Sequence, residues 1–314
     1  MALRYLGNGP YCTANSLSII FGDDGPGPAT IEVLTGSPYG ISIHGDDEYT
    51  YFTPDRWNPE FGITSALDLL GWECDRTAGS ADAAVAVLRG ASREAPVLVG
   101  PVEMGLLPYI PGLGRAIGAD HNVVVVGMEG DLVRAHDVQG WPFVTMPLES
   151  LLKAWQADTF AYRVDAYAVR SNFRRTRMVD PHTAVRRSLP TAIELLDGPE
   201  SAAAAERSAR IVEAGLTNMQ YKYLVEYQVQ AGARRFADAT AQLDAIGCRR
   251  AAAVADRQAL LIGSLQLLLV THEAARAAAT FRELAPTYGQ LRQALVDDLG
   301  QRIPDSGVAA ARIR

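Results

Sequence analysis

Cys12, His121 and Asp137 have the side-chain types and flanking residues of a nucleophile, a base and an orienting group. Cys12 follows a Gly9-Pro10 turn and opens a segment whose apolar residues Leu17, Ile20 and Phe21 recur at helical spacing. A thiol in the first turn of a helix meets unpaired backbone N–H groups and the positive end of the helix dipole, and both favour a thiolate. The same N–H groups suit a negative oxygen developing on a reacting carbonyl. Such a nucleophile needs a base, and the base needs a group to hold it. His121 leads the run Asn122-Val-Val-Val-Val-Gly127, and Asp137 ends Leu132-Val-Arg-Ala-His-Asp137, with Glu129-Gly-Asp131 as a tight turn between them. An antiparallel pair joined in this way brings both side chains to one edge of the hairpin. The expectation is that the carboxylate accepts the Nδ1 proton and points Nε2 at the thiol. His136 adjoins Asp137, so strand alternation sends it to the opposite face.

Further candidates lie in two irregular stretches. Residues 36–60 interleave Tyr39, Tyr49, Tyr51, Phe52 and Trp57 with His44, Asp46, Asp47 and Glu48. Loops of this length inside a domain are usually functional, so the stretch reads as substrate-facing, with His44 and Tyr51 as contacts. The loop Met104 to Gly118 contributes Tyr109 as a third substrate contact. Asn8, four positions before Cys12, is the amide in range to donate to an oxyanion. No cluster has zinc spacing, and no phosphate loop or dinucleotide fingerprint follows a strand, so neither metal nor cofactor is expected.

The elements that must position these residues follow from periodicity. A short helix is expected over Thr30 to Leu34, a capped helix over Thr64 to Gly71, a strand at Trp72 to Cys74 and a helix between Ser80 and Gly90. Ala95 to Gly100 reads as a buried strand. The four valines after Asn122 read as a strand covered on both faces. Pro147 to Trp155 has helical spacing, and Phe160 to Val169 alternates as a closing strand. Beyond about Arg186, Ala, Leu, Arg, Glu and Gln dominate. Helices are expected there over 199–216, 217–232, 236–246, 249–284 and 288–299, giving a catalytic domain at 1–178 and a helical domain at 179–314.

The 314 residues are 48% hydrophobic and 21% charged, an ordinary globular balance. A net charge of −7 argues against nucleic acid or an anionic membrane as partner. The most apolar run, Ala259 to Val270, is too short to span a bilayer, and the N-terminus lacks a signal-peptide core. Three well-separated cysteines imply no disulfide framework. A soluble, cytoplasmic protein is expected.

Taken together, Tyr11-Cys12-Thr13 opening a helix, Pro96-Val-Leu-Val99, His121-Asn-Val-Val-Val-Val-Gly127 and Arg134-Ala-His-Asp137 resemble the bacteriocin-processing (C39) cysteine peptidases. The pattern is more similar still to the N-terminal domain of the butirosin biosynthesis protein H family, followed by that family's helical extension. The resemblance implies a papain-like α+β fold with an antiparallel sheet and then an all-α domain. It also implies a cysteine acyltransferase of natural-product (antibiotic) biosynthesis. Such an enzyme takes an acyl group from a carrier-protein thioester and gives it to a small-molecule amine, with Cys12 as nucleophile, His121 as base and Asp137 as orienter. Docking an acidic carrier needs a local basic patch, for which Arg170, Arg174, Arg175 and Arg177 are candidates. The rival readings are a peptidase or amide hydrolase using the same triad, and a non-catalytic scaffold whose helical half mediates self-association.

Overall fold

The computed structural model describes residues 11–45, 48–160 and 162–300. It belongs to the α+β class, with a six-stranded antiparallel sheet and a helical C-terminal region. The chain begins with α1 (Cys12–Phe21) and α2 (Pro28–Leu34). The aromatic stretch after them is not wholly irregular, because it contains a hairpin of β1 (Ser42–His44) and β2 (Tyr49–Tyr51). Helix α3 (Pro59–Leu70) starts earlier than Thr64, where the Asn58 side chain accepts the Phe61 N–H. Then come β3 (Trp72–Thr77), α4 (Ala81–Leu88) capped by Ser80, and β4 (Val97–Glu103). The central hairpin is β5 (Asp120–Glu129) and β6 (Leu132–Asp137), turned at Gly130 with φ of +59°. Strand β7 (Trp141–Pro147) and α5 (Leu148–Ala154) follow.

The last strand, β8 (Val169–Arg175), lies C-terminal to the expected closing strand and inserts between β3 and β4, giving the order β3-β8-β4-β5-β6-β7. Each of its arginines finds a partner on a neighbouring element. Arg170 pairs with Glu60 at 2.6 Å, and Arg174 with Glu73 at 3.0 Å and Asp75 at 3.2 Å. Arg175 donates to the Asp24 carbonyl at 2.8 Å, and Arg177 pairs with Asp68 at 3.2 Å. These four side chains are therefore tied up within the chain and do not form a free basic patch.

Alternate residues of the central strands face two cores. Val97, Val99, Val123 and Val125 pack with Leu88 of α4 and Leu151 and Trp155 around α5. Leu98, Val124 and Val126 face the other way, into a core shared with α1, α2, α3 and the C-terminal helices. The valine run is thus buried on both sides, as its composition demands.

The helical region comprises α6 (Pro181–Leu195), α7 (Glu200–Ala214) and α8 (Asn218–Tyr223), a π-helical turn at Leu224–Gln228, α9 (Val229–Ala245), α10 (Arg249–Val270) and α11 (Ala274–Gly300). No break falls at 232–236 or at Pro286. The chain breaks instead at Thr271–Glu273, where His272 takes a φ of +57°. Leu284, Ala285, Tyr288 and Leu291 are buried on either side of Pro286, and their packing offsets the hydrogen bond that proline removes.

The change of composition near 178 is not a packing boundary, because one apolar core crosses it. Phe52 stacks on Phe281 at 6.3 Å between ring centroids and fills the space above Gly232, where a Cβ would stand 2.5 Å from the Phe52 ring. Buried polar links cross as well: Phe52 N–H to Gln228 Oε1 at 3.1 Å, Arg235 to Glu32 at 2.8 Å, and Thr50 to Ser208 at 2.9 Å. By length and composition alone, α10 is one helix apolar enough to cross a membrane. Its Ile262, Leu265, Leu268 and Leu269 nevertheless pack into the protein core, while Leu260 and Leu267 are exposed.

Candidate active site

Cys12 occupies the first position of α1 and is half-buried. Tyr11, just before the helix, has no side-chain cap to offer, and the first backbone bond runs from Asn15 N–H to the Tyr11 carbonyl at 2.9 Å. The N–H groups ahead of it have no partner within the helix. The Tyr11 hydroxyl donates to Asp238 of α9 at 3.0 Å, and the Arg234 guanidinium, paired with Asp238 at 2.8 Å, covers the Tyr11 ring. The start of α1 is thereby fixed to the helical region.

A bulge decides whether His121 and Asp137 meet. Near the turn, Glu129 pairs with Leu132, Met128 with Val133 and Gly127 with Arg134. Val126 is then skipped, so that Val125 pairs with Ala135 and Val123 with Asp137. Without that extra residue Asp137 would oppose Val124 and face away from His121, because a one-residue slip inverts a strand's faces. With it, His121 and Asp137 share a face, and Nε2 lies 2.9 Å from Asp137 Oδ1. This reverses the expected ring orientation: Asp137 holds Nε2, and the ring's other nitrogen is left for Cys12. His136, on the opposite face, instead accepts the Phe143 N–H at 3.2 Å.

Both members of the pair are buried. Burial by itself disfavours the His121 cation, but hydrogen bonds and charge from Asp137 and Cys12 outweigh it and raise the pKa to about 10. Burial likewise favours a neutral Asp137, yet the His121 bond and charge, the Gln139 N–H at 2.8 Å and the Tyr109 hydroxyl at 2.7 Å hold its carboxyl below the usual range. Near neutral pH the proton therefore sits on the imidazole, between carboxylate and sulfur. An imidazole held by a carboxylate and set against a thiol is the arrangement of a cysteine and its proton-transfer partner.

The Tyr109 hydroxyl donates to Asp137, and Tyr109 does not line the cavity described below. Its loop is pinned by the buried carboxylate of Glu103, which accepts the N–H groups of Gly105, Ile117 and Gly118 at 3.0, 3.0 and 2.9 Å and the Thr159 hydroxyl at 2.6 Å. Asn8 lies outside the described residues. Asn122, which the sequence reading passed over, also reaches Cys12: its Nδ2 is 2.9 Å from Thr13 Oγ1 and 3.6 Å from Cys12 Sγ.

In front of Cys12 opens a cavity of about 390 Å³, within the range of small-molecule sites. Asp120, Tyr162, His44 and Tyr51 line it from the sheet-bearing part of the chain, and Tyr223, Tyr227, Gln228 and Arg235 from the helical region. The ring centroids of Tyr51 and Tyr223 are 5.2 Å apart, those of Tyr223 and Tyr227 5.8 Å, and those of His44 and Tyr51 5.3 Å. Burial pushes His44 down, against the pull of Asp55, and keeps it neutral. Burial pushes the Asp120 carboxyl up, opposed by Tyr162 and by the charge on His121. The Tyr162 hydroxyl is close enough to act on Asp120 but is aligned with no acceptor among the described residues. The π turn carries Tyr227 and Gln228 and follows directly on Tyr223, and such turns recur at functional sites. Its sequence signal is modest: Tyr223 and Tyr227 lie four apart in a region otherwise rich in alanine.

The helices behind that wall have relatives. Residues 198–296 match the family model of the YobF C-terminal domain. The chain is also 33% identical over 165 residues to the uncharacterized protein YobF of Bacillus subtilis strain 168. That alignment covers 51% of this chain and 53% of the Bacillus protein, so the chain spans about half the length of the relative it matches. The segment similar to the YobF C-terminal domain includes the residues that place Tyr223, Tyr227 and Gln228 opposite Cys12.

Proposed function

We propose that this chain is a cytoplasmic cysteine acyltransferase. The Cys12 thiolate attacks the carbonyl carbon of an acyl thioester, forming a C–S bond and a tetrahedral oxyanion. Collapse breaks the bond to the donor sulfur, which leaves with the proton held by His121. A neutral amine then attacks the acyl-Cys12 carbonyl, gives its proton to the imidazole and expels the Cys12 thiolate, leaving an amide. Asp137 keeps the ring in place and stabilises its cationic form throughout.

The observation that carries this reading is the unbroken line from Asp137 through His121 to Cys12, ending at a cavity. Transfer to a small amine is favoured over peptide cleavage by the cavity's size and lining: tyrosine faces and the Asp120 carboxyl suit an ammonium group. Asp120 would hold that ammonium and take up the proton it sheds before attack. A carrier-protein thioester as donor, and the kinship with the butirosin biosynthesis protein H family, belong to the same proposal. The four paired arginines of the β8 region lend no support to a carrier docking there.

The test uses N,S-diacetylcysteamine, a minimal acyl thioester, with intact-protein mass spectrometry. The wild type is expected to gain one acetyl group on Cys12 and to lose it faster when a primary amine is added, with the amide appearing in solution. Cys12→Ala should gain none. Loss to water at a rate that amines do not change would make the protein a hydrolase. A Cys12 that is never acetylated, and that iodoacetamide alkylates no faster than Cys74, would overturn the enzyme reading.

A further inference from the structure

One polar group touches the reacting sulfur without belonging to the proton chain. Asn122 is 1% exposed, and three elements fix its amide. Strand β4 bulges opposite it, since Val99 pairs with Val123 and Val102 with His121, so that Gly100 and Pro101 face the single residue Asn122. Gly100, at φ of +150°, leaves room for the amide oxygen: a Cβ there would stand 2.1 Å from Asn122 Oδ1. On the other side the amide nitrogen meets α1.

That nitrogen has two hydrogens. Thr13 Oγ1, at 2.9 Å, takes one. Among the described residues the second has only Cys12 Sγ, at 3.6 Å, and sulfur is a weak acceptor. A buried, oriented donor is thus left with a poor partner in the resting protein. Once Cys12 has attacked a carbonyl, however, the new oxyanion lies one atom beyond the sulfur, within reach of the same N–H. Donors held at that point by their own framework stabilise the transition state without reorganising.

We propose that Asn122 supplies the side-chain donor of an oxyanion hole, acting beside the unpaired N–H groups of the first turn of α1, with Thr13 as the positioning residue that aims it. The proposal rests on the reading of Cys12 as a nucleophile toward acyl groups. It gives the hole a donor among the described residues, on the strand that also carries the base, and does not call on the expected Asn8.

Two reactions of the same sulfur separate this role from a structural one. Alkylation by iodoacetamide displaces iodide at a saturated carbon and forms no oxyanion, whereas acetylation by N,S-diacetylcysteamine must form one. In Asn122→Ala, acetylation is expected to fall by about 10²–10³-fold, the usual effect of removing one such donor. The fall should appear in kcat with KM little changed, while alkylation stays within about threefold of the wild type. Thr13→Val, which keeps the amide and removes only its aim, should lose roughly tenfold in acetylation alone. Circular dichroism and thermal melts of both variants establish that they are folded, and Thr13→Val carries the test if Asn122→Ala is not. Equal losses in both reactions would reduce Asn122 to a support for the thiol, and no loss in either would remove it from the chemistry. A wild-type protein that alkylates rapidly yet is never acetylated would sink the acyl-transfer reading and this proposal together, a pattern distinct from either variant result.

Discussion

The two sides of Cys12 are built in different ways. Behind the sulfur, Asp137, His121 and Tyr109 lie on one hairpin and an adjoining loop, and their polar atoms are closely satisfied. In front of it, the cavity wall draws on residues more than 200 apart, and includes a histidine whose pKa burial lowers, a carboxyl whose pKa burial raises and a tyrosine hydroxyl aligned with no acceptor among the described residues. The rear is finished, whereas the front has unused bonding capacity. That is the difference expected between machinery that is preorganised and a surface awaiting a ligand.

The largest effects should come from the rear. Asp137→Asn removes the charge that holds the imidazolium and reverses the donor-acceptor sense of its hydrogen bond. The corresponding change in a serine triad costs about 10⁴-fold. Here acetylation by the thioester is expected to fall by about 10³–10⁴-fold, with iodoacetamide alkylation falling as well. Tyr223→Ala, at the front, should leave alkylation nearly unchanged and slow only discharge to the amine, by roughly 10–100-fold for a lost aromatic contact with a cation. If Tyr223→Ala slowed alkylation as much as Asp137→Asn does, the division into two sides would fail.

The pH dependence of stability should split along the same line. His121 has a folded pKa raised from 6.5 to about 10, so its contribution is fully present below 6.5 and is lost as pH rises through about 10. Asp137 has a lowered pKa, so its contribution is present above 3.8 and is lost as pH falls through the folded value. Asp120 runs the other way. Its raised pKa means that the folded state holds the proton more tightly, so its stabilising effect is full below 3.8 and fades as pH rises through the folded value. Asp120→Asn should therefore raise Tm near neutral pH by roughly 2–4 °C, with the gain vanishing in acid, while discharge to the amine slows. Thermal melts across pH read this directly. A gain that persisted in acid would show that Asp120 costs nothing by being ionised.

This contrast also explains what the sequence could reveal. The Cys12 helix, the doubly buried valine strand and the Gly130 turn are local patterns, and they were legible from spacing alone. What brings His121 and Asp137 to one face was not, because it depends on a bulge at Val126 that shifts the register by one residue. Asn122 was hidden for a similar reason: nothing around it in the chain tells that Gly100, twenty-two positions earlier, clears room for its amide. Tyr223 and Tyr227 sat in a stretch that reads as plain bundle helix, and only its packing against the β1–β2 hairpin gives them a cavity to face. The arginines at and after β8 suggested a free basic patch because their carboxylate partners come from β3 and α3, which no local window contains.

The smallest effect tests how finished the rear is. Tyr109→Phe deletes one hydroxyl and nothing else, and Asp137 keeps the His121 bond at 2.9 Å and the Gln139 N–H at 2.8 Å. A hydrogen bond to a charged group contributes about 1.5–3 kcal/mol. The remaining partners compensate in part, so the acetylation rate should fall by roughly tenfold. Losing a donor also makes Asp137 easier to protonate, so the acid limb of the rate profile should move to higher pH. If Tyr109 were instead a substrate contact, Tyr109→Phe would raise KM for the thioester or the amine and leave that acid limb in place. The direction of the limb therefore decides between the two roles, and the one hydroxyl that joins the loop to Asp137 at 2.7 Å predicts a shift.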